Sequence, residues 1–198
     1  MLLEFRQYTL RPAARDTLIG LFEREFVETQ EAEGMTLPAM FRDLDAPDRF
    51  VWLRGFTADR GTSLAAFYSG PTWRAHRDEA NATMIDSDNV LLLEEVRGLD
   101  GHLRPRPPVD TPEPGTVIHA TIHHFTDAVP DEAVAAAAPE LLAVYRTAAV
   151  KNTFPALPVR ENEHVVVTLD RRGTTAPLPG SHHVERLRLA PTGRSTLS

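Results

Sequence analysis

The sequence predicts an α+β protein built from tandem ferredoxin-like units, the second copy degenerate. Three observations predict it. Over residues 1–97 the apolar period switches between strand and helix in the order β-α-β-β-α-β. A Pro-rich stretch at 98–115 holds Pro105, Pro107, Pro108, Pro112 and Pro114 and no apolar period, so it reads as a semi-extended linker. Over 116–190 the element order returns with weaker signals, as a second, degenerate unit, and a frayed tail is expected over 191–198.

Residues 2–10 alternate as a strand, with Glu4, Arg6 and Tyr8 on one face and Leu3 and Phe5 on the other. Residues 14–33 carry helical spacing through Leu18, Leu21, Phe22 and Phe26, and Gly34 suits the position after the helix end. Strands follow at 36–43 and 49–56. In the second, Phe50, Trp52, Arg54 and Phe56 share a face too polar for a closed interior, and Val51, Leu53 and Gly55 form a plain core face. Arg60 falls in a turn. Helical segments fill 62–85, broken at Gly70-Pro71, with Trp73 in the first turn after the break. The run Val90-Leu-Leu-Leu93 marks a strand at 89–96 covered on both sides.

In the second half, 117–125 reads as a strand. Residues 131–148 read as a helix, with Ala138, Leu141, Leu142 and Tyr145 inward and Pro139 kinking or restarting it. Residues 150–159, interrupted by Pro155 and Pro158, read as an imperfect edge strand. Residues 163–170 and 183–189 read as strands, and 171–181 offer no helix where the repeat would need one.

Composition narrows the function. The chain has 198 residues, 42% of them hydrophobic, with a net charge of −7, which argues against nucleic-acid and anionic-membrane partners. There is no cysteine, so thiolate sites and Cys nucleophiles are excluded. No apolar run approaches a membrane span and the start lacks signal-peptide character, so the cytoplasm is the expected location. Dinucleotide, phosphate-loop, nucleophile-elbow and zinc-protease motifs are absent.

The first half resembles the NIPSNAP family of the dimeric α/β-barrel superfamily. The likeness rests on Glu4-Phe-Arg-Gln-Tyr8-Thr-Leu10 before a helix and on Asp48-Arg-Phe-Val-Trp52-Leu-Arg54-Gly-Phe56. Arg60, Phe67-Tyr68, Pro71 with Trp73, and Asn89-Val-Leu-Leu-Leu93 extend it. The second half resembles the family in element order alone. The resemblance implies a sheet with helices on one face and a second sheet opposite the other, enclosing a partly polar cavity. It also implies either a small-molecule enzyme of monooxygenase, isomerase or cyclase class acting on an aromatic or polyketide-like compound, or a non-catalytic binding or scaffolding protein. No cofactor is expected. A homodimer is, because superfamily barrels form by pairing and strand 150–159 would leave an edge to cover.

Arg6, Tyr8, Trp52 and Arg54, with Arg60, Tyr68 and Trp73, are the candidate pocket for an anionic or aromatic ligand. Arginine presents planar donors to a carboxylate, and Trp a stacking face. The same residues could instead knit the two sheets together. Two buried guanidiniums need partners: either acids such as Glu4 supply them or the volume admits an anion, and the sequence reading favours the anion, with Arg54 as its contact. Six of the eight histidines lie in the second half. His119 and His123 are about 13 Å apart along one strand, too far to chelate together. No metal is expected; the candidate ligands, were there one, are His119, His123 and His164.

Overall fold

The computed structural model describes residues 1–137, 140–173 and 175–198. Its strands are β1 (Leu2–Leu10), β2 (Met35–Asp43), β3 (Arg49–Phe56), β4 (Met84–Arg97), β5 (Ile118–His124), β6 (Ala143–Thr147), β7 (Val165–Asp170) and β8 (His183–Pro191). They close an antiparallel barrel in the order β1-β3-β2-β8-β5-β7-β6-β4. Within each half, the first strand lies between the third and the fourth.

The helices are distributed unequally. In the first half α1 (Arg15–Leu21), a π-helical turn (Phe22–Phe26) and α2 (Val27–Glu31) form one run, followed by α3 (Arg60–Ser69) and α4 (Pro71–Thr83). Gly34, at φ +78, turns the chain from the first run into β2, a conformation glycine adopts without strain. Asp59 caps α3 by accepting from the Thr62 amide at 2.8 Å, and Pro71 opens α4 where its missing N–H costs nothing. The second half has a single described helix, α5 (Asp131–Ala135).

The barrel interior is filled. Leu3 and Phe5 of β1, Val51 and Leu53 of β3, Leu91 and Leu93 of β4, and Val165, Val167 and Leu169 of β7 meet in one buried cluster, with Tyr145 from β6 among them. Their burial, roughly 1.5–3 kcal/mol for each large side chain, makes this the main core. The partly polar cavity expected between the sheets is therefore replaced by apolar packing. Gln7 continues this inward row and is buried with both ends of its amide unpartnered among the described residues.

The face of Phe50, Trp52, Arg54 and Phe56 is buried as well, beneath the helices, against Phe22, Phe26 and Phe67. Its polarity had suggested an opening. The correction has a physical cause: Arg54 brings its own counter-ion, so a charged residue can lie under a helix layer.

Other expectations need revision. Arg60, expected as a turn or helix-capping residue tied to a nearby acid, is the first residue of α3, and the acid it meets is Glu4. The helix expected over 131–148 ends at Ala135, and Tyr145 belongs to β6, paired with Glu95 and Val167. The kink assigned to Pro139 and the inward position of Ala138 lie outside the described residues. Residues 150–159 form no strand, so the edge invoked for dimer pairing is missing. The tail is not frayed: Thr192, Ser195 and Leu197 are buried against β2, through Thr192 N–H to Met40 O and Leu197 N–H to Pro38 O.

Candidate functional site

Register builds the site before any helix arrives. β1 and β3 pair Glu4 with Arg54, Arg6 with Trp52 and Tyr8 with Phe50, so the outward face of two central strands brings these side chains together. α3 then sets Arg60 across Glu4.

Glu4 is the hub. Its Oε2 accepts from Arg6 Nη1 at 2.7 Å and from Arg54 Nε and Nη2 at 2.8 and 2.6 Å. Its Oε1 accepts from Arg60 Nε at 2.7 Å. Three further guanidinium donors find neutral acceptors: Arg6 Nε the Tyr8 hydroxyl at 3.1 Å, Arg54 Nη1 Gln30 Oε1 at 3.0 Å, and Arg60 Nη1 Asn152 Oδ1 at 2.9 Å. Arg6 and Arg54 lie 5.3 and 5.1 Å from the Trp52 ring, within cation–π range.

Burial pushes the Glu4 carboxyl toward its neutral form, but Arg54, then Arg6 and Arg60, overcome this and hold its pKa at about 2. Burial raises the Tyr8 phenol, which stays protonated, and lowers Arg60. Three guanidiniums against one carboxylate leave two positive charges in excess. One buried donor is spare: among the described residues Trp52 Nε1 has no hydrogen-bond partner, while Arg60 Nη2 lies 2.7 Å from Glu4 Oε1 as an ion pair. On its outer side the cluster is closed by half-buried rings. Tyr68 meets Trp73 edge-on at 4.8 Å and stacks on Phe154 at 5.9 Å.

All seven residues singled out from the sequence thus fall on one helix-covered face, and the anion that Arg54 meets is Glu4. Gln30, Asn152 and Phe154 were not singled out. Gln30 hides in a helical period, and Asn152 and Phe154 lie on an irregular segment with no pattern to place them. The histidines do not gather. His119 and His123 share the outer face of β5 while His164 precedes β7, and among the described residues no three His, Asp or Glu side chains group to hold a metal. His123 is fully buried; its Nδ1 accepts from the Leu178 amide at 3.3 Å, and burial lowers its pKa to about 4.

No family model matches the chain, and no curated protein matches it. Solved structures do. A proposed monooxygenase from Lactobacillus acidophilus NCFM shares 11% identity over 96% of this chain and 93% of its own, with a TM-score of 0.58. Another, from Fusobacterium nucleatum, shares 9% over 96% and 92%, with a TM-score of 0.56. The likeness is one of fold. The matching structures also include an uncharacterized NIPSNAP-like domain protein from Burkholderia xenovorans, at 24% identity over 56% of this chain and 95% of its own, TM-score 0.44. Among the described residues no helix is long and apolar enough to cross a membrane.

Proposed function

We propose that the protein is a small-molecule enzyme of the monooxygenase, isomerase or cyclase class, and that an aromatic or polyketide-like compound binds as an anion at the arginine cluster rather than inside the barrel. The observation that carries this reading is the charge excess: three guanidiniums share one carboxylate, with Trp52 Nε1 a spare donor beside them among the described residues. Preorganised donors of this kind stabilise negative charge that develops on oxygen in a transition state. Tyr68, Trp73 and Phe154 supply rings for an aromatic body, and withdrawal of Phe154 is the way in.

Whole-length likeness to the two proposed monooxygenases supports the enzyme reading through the fold, a weak warrant for any particular reaction. The repeated strand order supports the tandem-unit reading, residues 1–97 and 116–190 each forming one ferredoxin-like unit. The expected homodimer would form through helices or loops, since the barrel is closed. Light scattering tests it: a 22 kDa particle at every concentration rejects the dimer.

The site is tested by calorimetric titration with 2-naphthoate at fixed ionic strength. Wild type takes up one equivalent, and Arg60→Met binds about tenfold more weakly, as expected for loss of one charge-assisted contact. Equal affinity in a folded Arg60→Met protein rejects the assignment. Binding without turnover of any aromatic substrate leaves the ligand site and removes the enzyme.

A further inference from the structure

The barrel has a seam. β6 pairs with β4 only from Leu93 to Arg97, and beyond Leu93 the edge of β4 is met by an irregular strap, residues 148–162. Two backbone bonds anchor that strap: Ala148 N–H to Leu92 O at 2.9 Å and Arg160 N–H to Val90 O at 2.8 Å. Between its anchors the strap swings away from the sheet, and a cleft of about 780 Å³ lies along the seam, a size suited to small molecules.

Leu92, Ala148 and Val159 give the cleft its apolar lining; the side chain of Leu91 is turned into the barrel core. Most charges on its wall cancel: Arg146 binds Glu94 at 2.5 Å and Arg160 binds Glu163 at 2.7 Å. Two charges do not. Glu161 is exposed, and Lys151 stands on the lip beside the exposed Val150, without an ion-pair partner among the described residues. Lys151 is the sole lysine of a chain whose other strongly basic residues are all arginine.

We propose that the seam cleft is a binding site for an amphipathic monocarboxylate, its apolar body on Leu92, Ala148 and Val159 and its carboxylate at Lys151. The apolar floor provides the affinity and the unpaired ammonium the choice of head group. Burying an alkyl chain there removes apolar surface from water on both partners, and the two ion pairs beside it are already satisfied, so neither competes for the head group. This site stands apart from the arginine cluster. Asn152, which lines the cleft and accepts from Arg60, is where the two touch.

The test is titration with decanoate and with decanol. Wild type binds one equivalent of decanoate. Lys151→Met weakens this about fivefold, in line with loss of one partly exposed ionic contact, and leaves decanol binding unchanged. Val150→Glu, which sets a carboxylate on the lip, weakens decanoate at least as much, and Glu161→Gln tightens it. All three positions are solvent-exposed, so the fold survives the changes. Absence of saturable decanoate binding, or equal decanoate affinity in wild type and Lys151→Met, overturns the proposal. Arg60→Met separates the two sites: decanoate affinity unchanged there supports the cleft, and decanoate affinity lost with it moves the carboxylate to the arginine cluster and overturns the assignment.

Discussion

The two halves share a strand order and differ in what covers the outside of their sheets. The first half lays the helical runs Arg15–Glu31 and Arg60–Thr83 over its outer face. The second covers Phe125, Val144 and Val166 with the short α5, Leu178 and loop chain. Helices cover a sheet with a continuous apolar layer and satisfy their own backbone groups, whereas loops must leave gaps or find partners for theirs. The consequence is visible in the polar groups each half can bury. Under helices, Arg6, Arg54 and Arg60 lie sealed around Glu4. Under loops the second-half sheet buries His123, Thr121 and Thr168, and Asp170 accepts from the Arg172 and Gly173 amides and the Thr175 hydroxyl instead of pairing with an arginine; there the seam opens into a cleft.

The largest expected effect breaks the first half. Glu4→Gln leaves three buried guanidiniums without a carboxylate and should cost about 3–5 kcal/mol or prevent folding, as read by denaturant unfolding. A cost under about 1 kcal/mol would mean that solvent already reaches the cluster.

The next pair sharpens the contrast between covers. Phe26→Ala, on the buried side of the first helix run and against Phe22, Phe67 and Trp73, should cost about 3–5 kcal/mol. Leu178→Ala, on the loop cover of the second half, should cost about 2 kcal/mol, because the loop can collapse into the space. Equal costs would remove the distinction between the two layers.

Acid separates the halves in sequence. His123 has its folded pKa depressed to about 4 from 6.5, by burial first and then by Arg186 and His124. Its contribution is complete above pH 6.5 and is lost as pH falls toward 4. Glu4, lowered to about 2 from 4.5, gives stability that is complete above 4.5 and is lost toward pH 2. Near-ultraviolet circular dichroism reports the Trp52 face. It should hold its signal through the first window and lose it in the second, and His123→Gln should remove the stability loss between pH 6.5 and 4.

The smallest effect is a gain. Gln7→Leu replaces a buried amide that has no partner and should stabilise the barrel by about 1 kcal/mol.

Much of this was legible in the sequence. The strands at 2–10, 36–43, 49–56, 163–170 and 183–189 announce themselves by alternation, and α4 by Gly70-Pro71. Two things were hidden. Alternation separates two faces without saying which one the helices take, so Arg6, Trp52 and Arg54 were assigned to an open volume. The sequence offers Glu4 as one of two ways to neutralise these arginines, and the register of Glu4 opposite Arg54 decides for it and lets that face close. β6 was hidden because Leu141, Leu142 and Tyr145 also fit a helical spacing, and a five-residue strand offers too few turns of the pattern to choose. The role of Asn152 rests on where an irregular segment lands, which no local pattern encodes.

The central claim is that the excess charge beneath the first-half helices receives an anion. The indole N–H of Trp52, a spare donor in that cluster, is the direct reporter. In a nitrogen–proton correlation spectrum titrated with 2-naphthoate, with Trp52→Phe assigning the two indole signals, the account predicts a saturable shift of the Trp52 indole that Arg60→Met suppresses. A Trp52 indole signal that stays fixed while 2-naphthoate saturates the protein would contradict it.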